Sequence, residues 1–245
     1  MNTSRPNPII CAVDTTDIEQ ARALAAQLSG HVGALKLGLE FFTAQGAAGV
    51  REMEKAGLPI FLDLKFHDIP NTVAGAVRAL HGLNVFMLTV HVSGGEAMIQ
   101  AAKEEASKLP SRPKVIGVTV LTSLEEDDIK QLLRRNWNDD LSDVKLTIED
   151  YAANLGRMAH IYGLDGAVCS PHEVTRLKKM DADFTLVVPG IRPAGSGKDD
   201  QKRTMTPAEA MAKGADYLVI GRPITAAKDP KKAAADIFAS LGETK

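Results

Sequence analysis

Several ingredients are scarce in this chain, and each scarcity narrows what it can be. Only two of its 245 residues are cysteine. Cys11 and Cys169 sit inside apolar runs and read as buried free thiols, not as a disulfide or a metal pair. No uncharged apolar run approaches the roughly 20 residues that a membrane helix needs. The opening MNTSRPNPIICAVD has a short apolar run ending in Asp14 and no small-residue cleavage pattern, so it reads as a first strand and not as a signal peptide. The cytoplasm is the expected compartment. Neither sign of charge is in excess, with 29 Lys and Arg against 31 Asp and Glu, a net charge of -2, and aromatic residues make up only 4%. Without a basic field or many stacking rings, neither a nucleic acid nor a membrane surface is an expected partner. Any anion site must be local. Also missing are a Pro/Gly/Ser linker, a sequence repeat and a low-complexity tract, so residues 1–245 are expected to form one domain. What is plentiful is core material: 44% hydrophobic and 24% charged residues exclude disorder, collagen and coiled coil.

Eight short apolar or β-branched runs recur along the chain: 9–14, 34–38, 59–65, 85–92, 115–121, 166–170, 184–190 and 217–221. They lack strict alternation, as expected of parallel strands covered on both faces. Between them lie segments of helical periodicity. In 17–30, Ile18, Ala21, Leu24, Ala25 and Leu28 line one face. Helices are likewise predicted over 47–56, 73–81, 97–108, 146–161, 171–179, 207–213 and 230–241, with Thr147 and Asp150 resembling a capping box. Eight βα units in a chain of this length predict an α/β fold, the (β/α)8 or TIM barrel. A doubly wound open sheet is the rival, but it would want a glycine-rich first turn, and DTTDIEQA has no glycine. The longest irregular stretches are expected after strands five and seven.

In a barrel the active site lies at the C-terminal ends of the strands. There the first strand ends in Asp14, the second carries Lys36, and the third carries Asp63 and Lys65. Residues two apart on a strand share a face, so Asp63 and Lys65 both point to the pocket if either does. Structural ion pairs are the alternative reading of these four charges. In DLKFHDIPNT (63–72), Asp68 follows the strand in an exposing turn, although Asp68 and Asn71 also suit ordinary turn or cap duties. His67 reads as a packing or hydrogen-bonding residue, and His91, near the end of strand four, could serve either structure or chemistry.

These residues, and DLKFHDIPNT above all, resemble the orotidine 5'-phosphate decarboxylase family, and the resemblance runs over essentially the whole chain. It implies decarboxylation of orotidine 5'-monophosphate to uridine 5'-monophosphate, in pyrimidine biosynthesis, without a cofactor or metal. It also implies a charged network of Lys36, Asp63, Lys65 and Asp68, and a homodimer in which Asp68 and Thr72 reach the active site of the other subunit. Asp14 matches the ribose-binding aspartate. The segment after strand five matches the pyrimidine-binding region, through Thr122 and Ser123 or Thr119. Downstream, Pro189, Arg192, Gln201, Gly221 and Arg222 match substrate-binding positions. Lys65 is expected to stabilise the developing carbanion and deliver the final proton.

The last two strands point to phosphate by a separate route. Barrels often build a phosphate site from the loops after strands seven and eight, with backbone N–H groups and an added helix terminus. Both loops carry an arginine, Arg192 and Arg222, that can fork onto phosphate oxygens, and Gly190 and Gly221 permit close approach. The glycines and mixed charges of 195–203 suggest a lid that closes over phosphate. Two rival functions remain. A metal-dependent sugar-phosphate decarboxylase could draw on Asp63, His67, Asp68 and His91, with Lys65 opposing the metal. A catalytically silent nucleotide-phosphate sensor would keep the barrel and bind without turnover.

Overall fold

The computed structural model describes residues 7–133, 147–193 and 204–242. In chain order the elements are β1 (Ile9–Val13), α1 (Ile18–Leu28), β2 (Ala34–Gly38), α2 (Leu39–Glu54), β3 (Ile60–Phe66), α3 (Pro70–Arg78), β4 (Val85–His91), α4 (Gly95–Lys108), β5 (Lys114–Val118), α5 (Glu126–Leu133), α6 (Ile148–Ile161), β6 (Gly166–Val168), α7 (Val174–Lys178), β7 (Thr185–Val188), α8 (Pro207–Lys213), β8 (Tyr217–Ile220), α9 (Arg222–Thr225) and α10 (Pro230–Ser240). The eight strands close in sequence order. Every pairing is parallel, and β8 returns to β1 with Leu218 opposite Ile9. This is the expected (β/α)8 barrel.

Pleating sorts each strand into two faces. Ile9, Cys11 and Val13 face the helices, whereas Ile10, Ala34, Phe61, Met87, Ile116 and Val187 pack together inside the barrel. With both faces buried, each strand must be apolar throughout, which is why the runs lack alternation. Two residues further along the inward face, polar groups replace apolar ones. Ala34 is followed by Lys36, Phe61 by Asp63 and Met87 by Thr89, so one parity fills the barrel below and furnishes its C-terminal mouth.

Helix ends follow their capping chemistry. Asp17 accepts from the N–H groups of Glu19 and Gln20 at the start of α1, and Thr147 accepts from that of Asp150 at the start of α6. A full reciprocal capping box forms at Thr206 and Glu209, ahead of α8. Several element boundaries differ from expectation, among them the following. The helix predicted over 47–56 begins at Leu39, because the chain turns helical directly after Gly38 and bends at Gly46, whose φ of 55° interrupts the helical backbone. The stretch after strand five contains α5, with three acidic residues in its first turn that suit the positive end of the helix dipole. Strand five stops at Val118, and Thr119 turns its hydroxyl to the Val168 carbonyl at 2.9 Å.

Candidate active site

The C-terminal mouth opens into a cavity of about 630 Å³. Ala12, Phe61, Val118, Val168 and Val219 form its apolar floor. Asp14, Lys36, Asp63, Lys65, Thr122, Ser123, Pro189, Gly190, Arg192, Gly221 and Arg222 line the wall, together with Val120, Leu121 and Cys169. Ten positions singled out as substrate-contacting or catalytic therefore lie around one space, contributed by the ends of five strands and the segment after β5. Thr119 is buried beside the Val168 carbonyl and does not line the cavity. Asp68 and Thr72 are exposed, and neither lines this chain's own cavity. Gln201 and the suggested lid at 195–203 lie outside the described residues.

Along one side of the mouth, charges alternate in a row. Lys36 Nζ stands 3.3 Å from Asp14 Oδ1 and 3.7 Å from Asp63 Oδ2, and Lys65 Nζ donates to Asp63 Oδ2 at 2.8 Å. The other Asp63 oxygen accepts from the Thr89 hydroxyl at 3.0 Å. Burial, the largest single influence on Asp63, pushes its carboxyl upward. The charges of Lys36 and Lys65 and the hydrogen bonds from Lys65 and Thr89 outweigh it, and together hold Asp63 below its ordinary range and ionised. Gly38 makes room for this row, since a Cβ there would lie 3.0 Å from Lys36 Nζ and 3.4 Å from Asp14 Oδ1.

Lys65 does not reach the cavity by simple pleating. Leu62 pairs with Leu88 and Phe66 with Val90, so three β3 residues face the single residue Thr89. Within this bulge Lys65 takes φ 50°, in the left-handed region. For a non-glycine residue that backbone costs about 1–2 kcal/mol, strain of a kind that persists where surrounding contacts over-determine it. The Lys65 N–H donates to Thr89 Oγ1 at 2.8 Å. Attention to charges alone passed over Thr89, although a lone hydroxyl at inward parity in an apolar strand was a usable signal.

On the opposite side the segment after β7 returns to the barrel through a bridge between Ile191 and Met205. The Arg192 N–H donates to the Met205 carbonyl at 2.9 Å and its guanidinium to the Ile191 carbonyl at 3.0 Å. Gly190, at φ 76°, occupies a backbone conformation that favours glycine. At Gly221 a Cβ would meet only Ala12, at 3.6 Å, an ordinary van der Waals contact. Arg222 opens α9 directly after it.

Of the nitrogen and oxygen donors that a metal would draw on, the aspartate oxygens are largely engaged. Both Asp63 oxygens hold hydrogen bonds, one from an ammonium, and Asp68 Oδ1 accepts from the Ile69 N–H at 2.7 Å. His67 and His91 pack ring against ring at 5.2 Å. Burial, then His67 and Lys65, push the His91 imidazole below its ordinary range, against the opposing pull of Asp63. Among the described residues no three His, Cys, Asp or Glu gather into a metal-binding group, and no helix is long and apolar enough to cross a membrane.

Residues 7–237 match the orotidine 5'-phosphate decarboxylase / HUMPS family. The orotidine 5'-phosphate decarboxylase of Paramagnetospirillum magneticum is 49% identical over 242 residues, covering 96% of this chain and 99% of the relative. That of Sphingopyxis alaskensis is 50% identical over 237 residues with the same coverage. In three dimensions the chain is similar to the crystal structure of orotidine 5'-phosphate decarboxylase from Lactobacillus acidophilus, with a TM-score of 0.80 at 36% identity over 96% of this chain and 99% of that one. A likeness that spans the barrel from first strand to last helix, in sequence and in backbone alike, makes this chain a member of the orotidine 5'-phosphate decarboxylase / HUMPS family.

Proposed function

We propose that the protein converts orotidine 5'-monophosphate to uridine 5'-monophosphate and carbon dioxide, a step in pyrimidine biosynthesis, using no cofactor. The observation that carries this reading is the row Asp14, Lys36, Asp63 and Lys65 along one side of a cavity that Arg192 and Arg222 also line. Breaking the bond to the carboxylate releases carbon dioxide and leaves an electron pair on a ring carbon that has no adjacent carbonyl to accept it. The ammonium of Lys65 stabilises that charge as it develops, so its benefit falls on the transition state. Its proton then forms the new C–H bond, and the lysine amine regains a proton from water. Ionised Asp63 is the fixed counter-charge that keeps Lys65 aimed into the cavity, and Lys36 holds Asp63 while sharing the ribose with Asp14.

The remaining wall divides by chemistry. Thr122 and Ser123 present hydroxyls to the pyrimidine edge, with Pro189 packing beside it. Arg222, Arg192 and the backbone around Gly190 and Gly221 take the phosphate, and Gln201 is assigned to the substrate as well. Binding energy from this remote phosphate then supports the chemistry at the ring.

The exposed Asp68 and Thr72, on either side of a projecting Ile69 that is 66% exposed, fit the surface of a homodimer in which each subunit completes the other's site. Mixing Lys65→Ala with Asp68→Ala subunits is then expected to restore activity, because one site of each mixed dimer retains both residues. Two inactive parents that give an inactive mixture would refute the shared site. Two buried free thiols suit a reducing compartment, and the cytoplasm is the proposed location.

The test of the function is to incubate the purified protein with orotidine 5'-monophosphate, with and without chelator, following loss of the orotate absorbance and appearance of uridine 5'-monophosphate. Chelator-resistant turnover is the expected result. Neither binding nor product would favour a barrel acting on sugar phosphates, and binding without product a silent nucleotide sensor.

A further inference from the structure

We propose that Thr89 is a positioning residue for Lys65, setting both its backbone and its ammonium for proton delivery; this rests on the decarboxylation proposed above. Thr89 is fully buried on β4, opposite the β3 bulge. Regular pairing fails there, because Asp63, Leu64 and Lys65 face this single residue, and the Lys65 N–H finds its acceptor in the Thr89 side chain. A hydroxyl has one hydrogen, and here it points to Asp63 Oδ1. The second Asp63 oxygen accepts from Lys65 Nζ. Three hydrogen bonds thus close a ring that runs from the Lys65 backbone through Thr89 and Asp63 to the tip of the same lysine.

That ring explains how a lysine keeps φ 50° at the rim of a cavity. It also couples the two ends of one side chain, so a change at the Thr89 hydroxyl reaches the ammonium without touching substrate. A threonine serving packing alone would need its methyl group and its shape. Here the hydroxyl serves the charged row in both directions, accepting from the backbone N–H of Lys65 and donating to its counter-ion. The three bonds of the ring involve only β3 and β4, whereas Arg192 and Arg222 follow β7 and β8, so phosphate binding should be separable from it.

Thr89→Val preserves shape and removes both hydrogen bonds, whereas Thr89→Ser preserves both and removes the methyl group. In the valine variant kcat is expected to fall by about 10- to 100-fold, the scale of a misplaced reacting group. KM and the dissociation constant for uridine 5'-monophosphate should stay within about threefold, because ground-state contacts persist. Serine is expected to restore most of kcat. A valine variant within about twofold of the parent kcat would overturn the proposal, as would a serine variant as slow as valine. So would a parallel loss of nucleotide binding and thermal stability that accounts for the slower rate.

A crystal structure of the Thr89→Val protein reads the same claim without substrate. The expected result is a Lys65 backbone that leaves the left-handed region or an ammonium that leaves Asp63 Oδ2; an unchanged Lys65 would refute the positioning role. If the unsubstituted protein fails to convert orotidine 5'-monophosphate, the proposed reaction falls, while this structural arm still decides whether Thr89 sets Lys65.

Discussion

Replacing Asp63 with asparagine keeps the side-chain shape and removes one charge from a row of four. Two negative and two positive groups become one and two, so Lys36 is left with Asp14 while Lys65 loses the carboxylate it pairs with. At 2.8 Å from Lys65 and 3.7 Å from Lys36, with an effective dielectric near 20, the gross attractions are about 6 and about 4.5 kcal/mol. Desolvation of the ions offsets much of this, and removing one partner of a buried pair typically costs about 3–5 kcal/mol. Lys36 keeps Asp14 at 3.3 Å and the Lys65 side chain is 28% exposed, so the lower end, about 3 kcal/mol, is expected at neutral pH.

The pH dependence of that loss has a definite sign. The folded protein holds the Asp63 carboxyl below its ordinary value of 3.8, so the unfolded chain takes up the proton first on acidification. The stabilisation is therefore complete above about pH 4 and is lost as pH falls through the folded value. Urea unfolding of both proteins, at neutral pH and at about pH 3, measures this directly. The gap between them should narrow in acid. Equal stability at neutral pH, or a gap that does not depend on pH, would refute the electrostatic account of the row. Turnover by Asp63→Asn should also fall by about 100-fold or more, since Lys65 loses the group that aims it.

Other perturbations probe separate parts of the molecule. Arg222→Ala removes a charged contact proposed for phosphate, worth about 1.5–3 kcal/mol, so kcat/KM for the nucleotide should fall by about 10- to 100-fold; an unchanged value would remove Arg222 from the phosphate site. At Gly166 a Cβ would fall on the carbonyl oxygen of Thr185, its partner across the ladder. Gly166→Ala is thus expected to cost about 2 kcal/mol or more, seen as a lower Tm, and an unaltered Tm would contradict the close approach of β6 and β7. Burial pushes the Cys11 thiol up to about 12, with Asp14 adding to the rise and Lys36 opposing it. Iodoacetamide at neutral pH should leave Cys11 unmodified in the native protein and label it in urea, as peptide mass spectrometry would show; rapid native labelling would refute its burial.

The barrel was legible because its physics is local and repeated. Strands buried on both faces must be apolar throughout, and helices between them must carry one apolar face, so runs such as 34–38 and 217–221 announce themselves. The first half of helix α2 is hard to see in the sequence because Gly46 bends the chain in the middle of it, and α5 is hidden because an acidic first turn resembles a solvated loop. In the site, Asp14, Lys36, Asp63 and Lys65 stood out as charges at strand ends, where burial demands partners. The bulge that aims Lys65 did not, because register depends on β4 as much as on β3, and a two-residue spacing cannot reveal an extra residue opposite Thr89. Glycine at 38 was equally silent until Lys36 and Asp14 were seen crowding the space a Cβ would fill.

The central claim is that the ammonium of Lys65, held by Asp63, provides the catalytic charge and the proton. Comparing the unsubstituted protein with Lys65→Ala for conversion of orotidine 5'-monophosphate, alongside binding of uridine 5'-monophosphate, tests it most directly. The account predicts a loss of turnover of about 1,000-fold or more with product binding largely retained. Turnover in Lys65→Ala comparable to that of the unsubstituted protein would contradict it.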